Sequence, residues 1–525
     1  MKFNIKTITA ALLIGAAAIG ASSCTKQMEE SYPNPDKTEK AAVPFLFSNE
    51  ILSGRNRLTY TQLFTAVRPM LGVYTQTMGF QNGTKRYEVA PSYAEMRWKE
   101  YYVNTLQTYR EINFVFDSLP AREKNIQQIY VALSKVFFIH ETAKVTDLWG
   151  DMPFFQAGML RNFANPSMHA AYDSQESIYT WMLAELKKTA DYLNEYKLPV
   201  GSESVVTEGL KKQDVIFKGD REKWKKFTNS LRLRLAMKVS YVKPVLAKAE
   251  IQEILGNPKL YPVMETNVDN ALIVAVGPDL FAIDNQHEYG IRSMEGFNAA
   301  PFVIIDKIMQ PQGDPRLSIL YTKNKEGKYA GMPMDVSTET QANMLRDSLI
   351  SRMDSATFTR NNFFPGVLMT ASEVSFLKAE AAERLGIGGS AQTAYEEGIR
   401  QSINFYYDIR NISTFKDKVA TPTAVAVEEF LKKEGVAYGT DNMNKICTQK
   451  WLHLNFVQAE ENWAEVRRNK LPKLVFANDP SSTLQRNVPM RWNYPANERN
   501  YNAANYAAVA GKDRTDVKVW WDVKP

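Results

Sequence analysis

The stretch QDVIFKGDREKWKKFTNSLRLRLAMKVS, residues 213–240, decides the fold class. Val215, Ile216 and Phe217 make a short apolar, strand-like run that meets a turn at Gly219. Asp220 follows as a helix N-cap, where a short side-chain acceptor satisfies backbone N–H groups that the helix leaves unpaired. Trp224, Phe227, Leu231, Leu235 and Val239 then recur at spacings of three and four, which is one face of an α-helix. Leu233, Ala236 and Met237 fall on roughly the opposite side, with Arg232 and Arg234 on the seams between. A surface helix needs only one apolar stripe. Two stripes predict a helix sandwiched between layers of other helices, with its arginines bridging acids or carbonyls inside the body.

The flanking chain carries the same helical signature. Leu63, Val67, Met70, Leu71 and Tyr74 mark an early helix, and Trp98 to Phe116 a second, which Trp98 opens as a core residue. Ile126, Ile129, Tyr130, Leu133, Phe137, His140 and Lys144 run on to Leu148, where Gly150 and Pro153 end the helix. Asp173 and Glu176 have capping-box spacing ahead of Ile178, Met182, Leu186, Ala190 and Leu193. Thr370 and Glu373 repeat that spacing before Val374, Leu377, Ala381 and Leu385. Gly386, Gly388 and Gly389 turn the chain into a further helix on Tyr395, Ile399, Ile403 and Tyr406. This helix–short loop–helix unit resembles a tetratricopeptide hairpin, and such pairs stack. One last long helix is expected on Leu452, Phe456, Ala459, Trp463 and Val466, ending before Pro472. Between about 255 and 365 the periodicity weakens into irregular loops outside the helical body, with short β-like runs at Ala271 to Val276 and Phe302 to Ile305.

Residues 1–23 read as a signal peptide. Lys2 and Lys6 form its basic end, an apolar stretch runs from Ile8 to about Ala21, and small residues precede Cys24. A cysteine in that place suits a lipoprotein, in which the thiol is diacylated and becomes the mature N-terminus. Ala21 and Ser23 depart from the Leu and Gly or Ala of the usual lipobox. Two or three acyl chains, at about 0.8 kcal/mol per buried methylene, anchor a protein stably. Residues 24–44 then form a polar, lipid-anchored tether, and 45–525 a single domain. No later run reaches the ~20 apolar residues of a membrane span.

The 525 residues are 44% hydrophobic and 23% charged, the balance of an ordinary globular protein. A formal charge of +6 with interleaved acids and bases gives no reason to expect nucleic acid. The densest basic run (Lys211, Lys212, Lys218, Arg221, Lys223, Lys225, Lys226) reads as a solvated helix face. The two cysteines, Cys24 and Cys447, have no CxxC or His spacing, so neither metal nor redox motif is present and no cofactor is expected. Of the four histidines, His140 lies on an apolar helical face and reads as a hydrogen-bonded core residue. No GxSxG elbow, HExxH helix, P-loop or GxGxxG after a strand occurs. Asp147 and Asp151 could be imagined as a glycosidase pair, but their spacing across a helix end fits capping and ion pairing better. Glu460, Glu461 and Glu465 near Arg467 and Arg468 read as helix-face ion pairs.

Five segments, in order, carry a resemblance. TDLWGDMPFFQA (146–157), YDSQESIYTWMLAEL (172–186), the 213–240 stretch, MTASEVSFLKAEAAERLG (369–386) and QKWLHLNFVQAEENWAEVRRNKLP (449–472) are similar to elements of the SusD/RagB family of Bacteroidota, particularly its SusD-like branch. Phe154 and Phe155 replace the family's more common Pro-Tyr continuation, and YPNPDK (32–37) resembles the motif that follows its lipid anchor. The resemblance implies a mainly α-helical body of tetratricopeptide-like pairs with an irregular ligand-facing side. It also implies a non-catalytic, surface-exposed outer-membrane lipoprotein. Such a protein captures an oligosaccharide, or in some branches a peptide, as the lid of a SusC-type TonB-dependent barrel. Met28, Glu29 and Glu30 are a short version of the family's acidic surface-export signal.

The matching motifs are framework. In the family the ligand meets variable loops, which correspond here to Gly79–Arg97 and about Asp279–Ala300. Sugars favour aromatic faces for C–H stacking and planar amide or guanidinium groups for hydroxyls. Asn82, Tyr87 and Tyr93 are therefore candidates in the first loop, and Tyr289, Arg292 and Phe297 in the second. The rival readings are an exported helical glycan hydrolase and a protein-binding scaffold with no small ligand.

Overall fold

The computed structural model describes residues 42–53, 58–79, 85–160, 168–274, 292 and 300–525. Eight helices carry the body: α1 (Ala121–Trp149), α2 (Gln175–Glu195), α3 (Arg221–Lys238), α4 (Pro244–Gly256), α5 (Ala371–Leu385), α6 (Ala391–Ile412), α7 (Asn442–Leu454) and α8 (Ala459–Asn469). Two small antiparallel sheets accompany them. β1 (Met152–Pro153) pairs with β2 (Tyr172–Asp173), and β3 (Ala271–Ile273) pairs with β4 (Gly366–Met369).

Helix α3 occupies the place its double stripe predicts, packed against α1, α2, α4 and α5. Every residue from Phe227 to Ser240 is buried, so polar positions as well as apolar ones are enclosed. The approach to it differs from the expected strand. Val215 to Phe217 lie in a tight turn around the Asp214 carboxylate, which accepts the backbone N–H groups of Ile216, Phe217 and Gly219 and the Trp224 indole N–H at 2.7 Å. A carboxylate that gathers four donors outcompetes a two-stranded ladder that would need a partner strand. Asp220 then caps the helix as expected, accepting from Lys223 N at 3.1 Å.

Burying charged seams requires acids to meet them, and the body supplies these from other helices. Arg234 makes a two-pronged contact with Glu373 of α5. Arg232 bonds Glu250 and Glu253 of α4. Lys238 reaches Glu461 at 2.7 Å and Asp147 at 3.3 Å. Arg468 holds Glu380 through both Nη atoms, at 2.7 and 2.6 Å, and Glu465 at 2.7 Å. The acids of α8 are thus not only neighbours on one helical face. Glu465 does pair with Arg468 one turn on, but Glu460 pairs with Arg97 at 2.7 Å and Glu461 with Lys238, tying α8 to other elements.

Two expected capping boxes are not closed, because their acids are drawn to other partners. Asp173 does not cap α2; it accepts the backbone N–H groups of Phe154 and Phe155, and Ser174 takes the cap by accepting from Ser177 N. Thr370 caps α5, accepting from Glu373 N at 3.2 Å, while the Glu373 carboxylate is turned to Arg234 instead of closing a capping box. The last long helix is in fact two, α7 and α8. Asn455 breaks it at φ +46°, and Asn462 Nδ2 donates to the carbonyls of Trp451 and Asn455 across the break.

Helices α5 and α6 form the expected hairpin, joined through Gly386, whose left-handed φ of +69° ends α5. Gly398 lies against the Phe376 ring, so close that a Cβ there would stand 2.7 Å from a ring carbon. Trp98 is a core residue as expected, within a helix (Pro91–Glu100) that starts earlier than predicted. Its ring meets Trp149, Tyr102 and Tyr494.

Between α4 and α5 the chain is irregular, as its weak pattern predicts. Ala271–Ile273 is a strand, but the β-like run at Phe302 to Ile305 is helical, within Val303–Met309. Met332 and Ile350 form a separate small apolar cluster with Met344 and Leu345. Backbone hydrogen bonds hold this lobe together, among them Met332 N to Ala300 O at 2.9 Å and Ser351 N to Ala330 O at 2.8 Å.

Candidate ligand groove

A groove of about 900 Å³ opens between this lobe and the segment that follows α8. One wall is Phe302, Val303, Lys307 and Ile308, at and within the helix Val303–Met309. Met334 to Thr338 form the lobe's contribution, and Pro472 to Asn478 the opposite strap, with Arg86 and Arg486 beside it. Phe302 and Phe476 are half-buried, Val475 is 80% exposed, and Lys307, Lys473, Asn478 and Arg486 are exposed. The lining is therefore an apolar floor with aromatic rings and a polar rim.

Each wall has a local cause. Gly331 packs its backbone on Phe302, where a Cβ would lie 2.3 Å from Phe302 Cα, and its N–H donates to Asp306 Oδ2 at 2.7 Å. Lys307 Nζ stands 5.1 Å over the Phe302 ring. The strap is pinned from the first loop: Tyr87 Oη donates to Ala477 O at 2.7 Å, and Arg86 N donates to Asp479 Oδ2 at 2.9 Å. Burial opposes ionisation of Asp479, but the Ser481 hydroxyl and the Arg86 N–H hold its carboxyl below the usual range. Glu88 Oε1 accepts from Thr483 N at 3.0 Å, extending the same seam.

Most of the two loops expected to face a ligand lies outside the described residues. Met78 and Gly79, where the first begins, line a narrow cleft with Pro301, Phe302 and Met334, just past the end of the second. Of the candidate residues, Tyr87 is fully buried, with its ring edge-on to Phe476 at 5.6 Å, so it packs beneath the strap and has no face for a sugar. Tyr93 is half-buried against the core on the helix Pro91–Glu100, and Arg292 is exposed. Neither is among the residues that line the groove. Asn82, Tyr289, Phe297 and Cys24 lie outside the described residues. Arg86, Phe302, Lys307, Lys473, Phe476 and Arg486 were not singled out from sequence. The strap had one usable signal, the cation- and aromatic-bearing KLPKLVFAN (470–478) directly after a helix end.

The groups imagined as catalytic are built into the framework. Asp147 is buried and accepts the Tyr179 hydroxyl and the Trp521 indole N–H, both at 2.6 Å. Burial lifts its carboxyl above the usual range against the pull of Lys238. Asp151 accepts Gln175 N at 2.8 Å and pairs with Lys512 at 2.6 Å. His140 is buried, with Nε2 donating to Leu368 O at 3.1 Å, and burial lowers its pKa. Cys447 is buried, and burial pushes its thiol up to about 12. Among the described residues no cluster of His, Cys, Asp and Glu could hold a metal ion. Within the same limits, no helix is long and apolar enough to cross a membrane.

A family model described as starch-binding proteins associating with the outer membrane, SusD-like, matches residues 35–495. The chain belongs to the SusD-like family. Solved structures of similar fold include a chitin-binding protein at 24% identity and TM-score 0.75, matched over 92% of this chain and 100% of its own. A chitin-binding SusD homologue from Flavobacterium johnsoniae is 24% identical with TM-score 0.68, matched over 92% of this chain and 98% of its own. A SusD homologue from Bacteroides thetaiotaomicron is 21% identical with TM-score 0.66, matched over 93% and 100%. No protein with a curated description matches the sequence. The SusD-like fold is thus mainly α-helical here, as the resemblance implied.

Proposed function

We propose that this SusD-like chain is a surface-exposed outer-membrane lipoprotein that captures an oligosaccharide in the 302–476 groove. It then delivers the oligosaccharide as the lid of a SusC-type TonB-dependent barrel. The observation that carries the reading is the groove itself. Phe302 and Phe476 offer ring faces, and Ser337, Thr338 and Asn478 offer hydrogen-bonding groups. The chitin-binding descriptions of two structural relatives support a glycan over a peptide as the ligand class. Lipidation at Cys24 supplies the tether.

Capture rather than hydrolysis fits the lining. Among the described residues the groove carries one carboxylate, Asp335, whereas glycoside hydrolysis in most enzymes uses two across the scissile bond. Calorimetry of the mature protein against fructans, α-glucans, chitooligosaccharides, host glycans and oligopeptides tests the ligand class. Phe302→Ala and Phe476→Ala should each weaken the captured glycan about tenfold, the loss of one stacking face. Saccharide binding that both variants leave unchanged would place the site elsewhere. Release of reducing ends from mixed polysaccharides would favour the hydrolase instead. Co-purification of a large barrel in mild detergent supports the lid role, and its absence counts against it. Cys24→Ala should move the protein from the membrane to the soluble fraction.

A further inference from the structure

We propose that the groove takes an anionic oligosaccharide, one whose sugars bear carboxylate or sulfate groups; this rests on the reading of the groove as the glycan site. Its charged lining is one-sided: Arg86, Lys307, Lys473 and Arg486 against the single carboxylate of Asp335. Arg86 is balanced by Asp479, at 3.7 Å. The other three cations come from three separate segments and are all exposed. Neither Lys473 nor Arg486 makes an ion pair among the described residues; Lys307 stands over the Phe302 ring and also feels the carboxylate of neighbouring Asp306.

Sugar hydroxyls donate as well as accept, so a rim built for a neutral glycan needs carboxylate or amide acceptors beside its donors. Ammonium and guanidinium groups only donate, so each needs an acceptor, and an anionic substituent is the strongest one available. The apolar floor of Val303, Ile308 and Leu474 keeps part of each interaction out of water, which raises its worth above that of an open-surface pair. Phe302 contributes twice, as a face for a sugar ring and as the surface over which Lys307 is held. An aromatic floor under a cationic rim fits a pyranose ring with an acidic group at its edge.

The test uses mature protein and matched ligand pairs in calorimetry. Oligogalacturonate is set against its methyl ester, and a sulfated glycosaminoglycan oligosaccharide against its desulfated form. The proposal expects at least one anionic member to bind tenfold or more tighter than its neutral partner, with affinity falling as salt rises. Lys473→Gln and Arg486→Gln should each weaken it about two- to five-fold, with melting temperature unchanged. Equal binding of a neutral partner, or no effect of either substitution, overturns the proposal. Neutral glycans that bind and are lost in Phe476→Ala would overturn it while leaving the groove as the glycan site. Binding of polyglutamate with no glycan bound would overturn both, as would binding of no saccharide at all.

Discussion

Arg234 and Glu373 meet through two parallel hydrogen bonds of 2.6 Å, Nε to Oε1 and Nη2 to Oε2, with both side chains sealed from solvent. Arg234 Nη2 also donates to Leu368 O at 3.1 Å, the carbonyl that receives His140 Nε2. One guanidinium thus locks α3 to the start of α5 and to β4, while α1 reaches the same carbonyl.

The buried pair should be costly to break singly and cheap to replace whole. Arg234→Met leaves the Glu373 carboxylate without its principal partner, and Glu373→Leu strands the guanidinium. Each is expected to lose about 3–5 kcal/mol. The double variant should recover most of that loss, because two apolar side chains need no partners. Chemical denaturation of the four proteins measures the coupling. Additive losses would mean that the pair does not act as a unit.

Acid should unfold the protein in two overlapping windows. His453 is buried between Thr370 Oγ1 and Ser402 Oγ, and burial lowers its pKa from 6.5 to about 3. The unfolded chain therefore takes up a proton that the folded one refuses, so stability falls as pH drops from 6.5 towards about 3, by up to about 1.4 kcal/mol per pH unit. Glu460 and Glu380 are held down to about 2 against burial, by Arg97 with Lys144 and by Arg468 with Lys450 respectively. Their contribution is full above 4.5 and is lost as pH falls through 4.5 towards about 2. His453→Gln should flatten the upper part of a melting-temperature profile, and Glu460→Gln the lower part.

Sequence periodicity exposed the body because burial imposes it residue by residue. The cap at Asp220, the doubled stripe of α3 and the α5–α6 hairpin are all local consequences of which faces must leave water. Competing polar contacts were less legible. Nothing in Val215 to Phe217 announces that Asp214 will gather four donors, and nothing at Asn455 separates a break from one more helical turn. The groove was least legible. It joins Arg86, Phe302 and Phe476 from distant parts of the chain; Phe302 opens a run that reads as β-like and folds as helix, and the other two lie in no periodic run. Tyr87 misled because a loop tyrosine can face either way, and here its hydroxyl has a backbone partner under the strap.

The α5–α6 hairpin depends on Gly398. A Cβ at this position would stand 2.7 to 3.0 Å from three carbons of the Phe376 ring, so Gly398→Ala forces that ring to move. The expected loss is about 1–3 kcal/mol, as for overpacking. Phe376→Leu opens room and costs about 1–2 kcal/mol alone. Combined, the two should cost less than their sum, a sign that thermal melts of the set can read directly.

Gly331 controls the groove more locally. Its contact is with backbone atoms of Phe302, which cannot swing aside as a side chain could. Gly331→Val should therefore displace the Met334–Thr338 wall while leaving the α1–α8 core folded. Helical circular dichroism should be retained, protease cleavage between residues 322 and 352 should rise, and glycan binding should fall tenfold or more. Unchanged binding together with increased cleavage would separate the lobe from the site.

Tyr87 and Phe476 share one ring contact but divide into support and site. Tyr87→Phe keeps the edge-on packing at 5.6 Å and removes only the hydrogen bond to Ala477 O. It should cost about 1 kcal/mol of stability and leave glycan affinity within about two-fold. Phe476→Ala removes a ring that lines the groove and is half-buried, so its stability cost is smaller than for a core phenylalanine, and its effect on affinity is larger. Melting temperature and calorimetry on both variants should therefore move in opposite order: Tyr87→Phe mainly the first, Phe476→Ala mainly the second. A Tyr87→Phe protein that melts like the parent but loses the glycan would return Tyr87 to the binding surface from which its burial removes it.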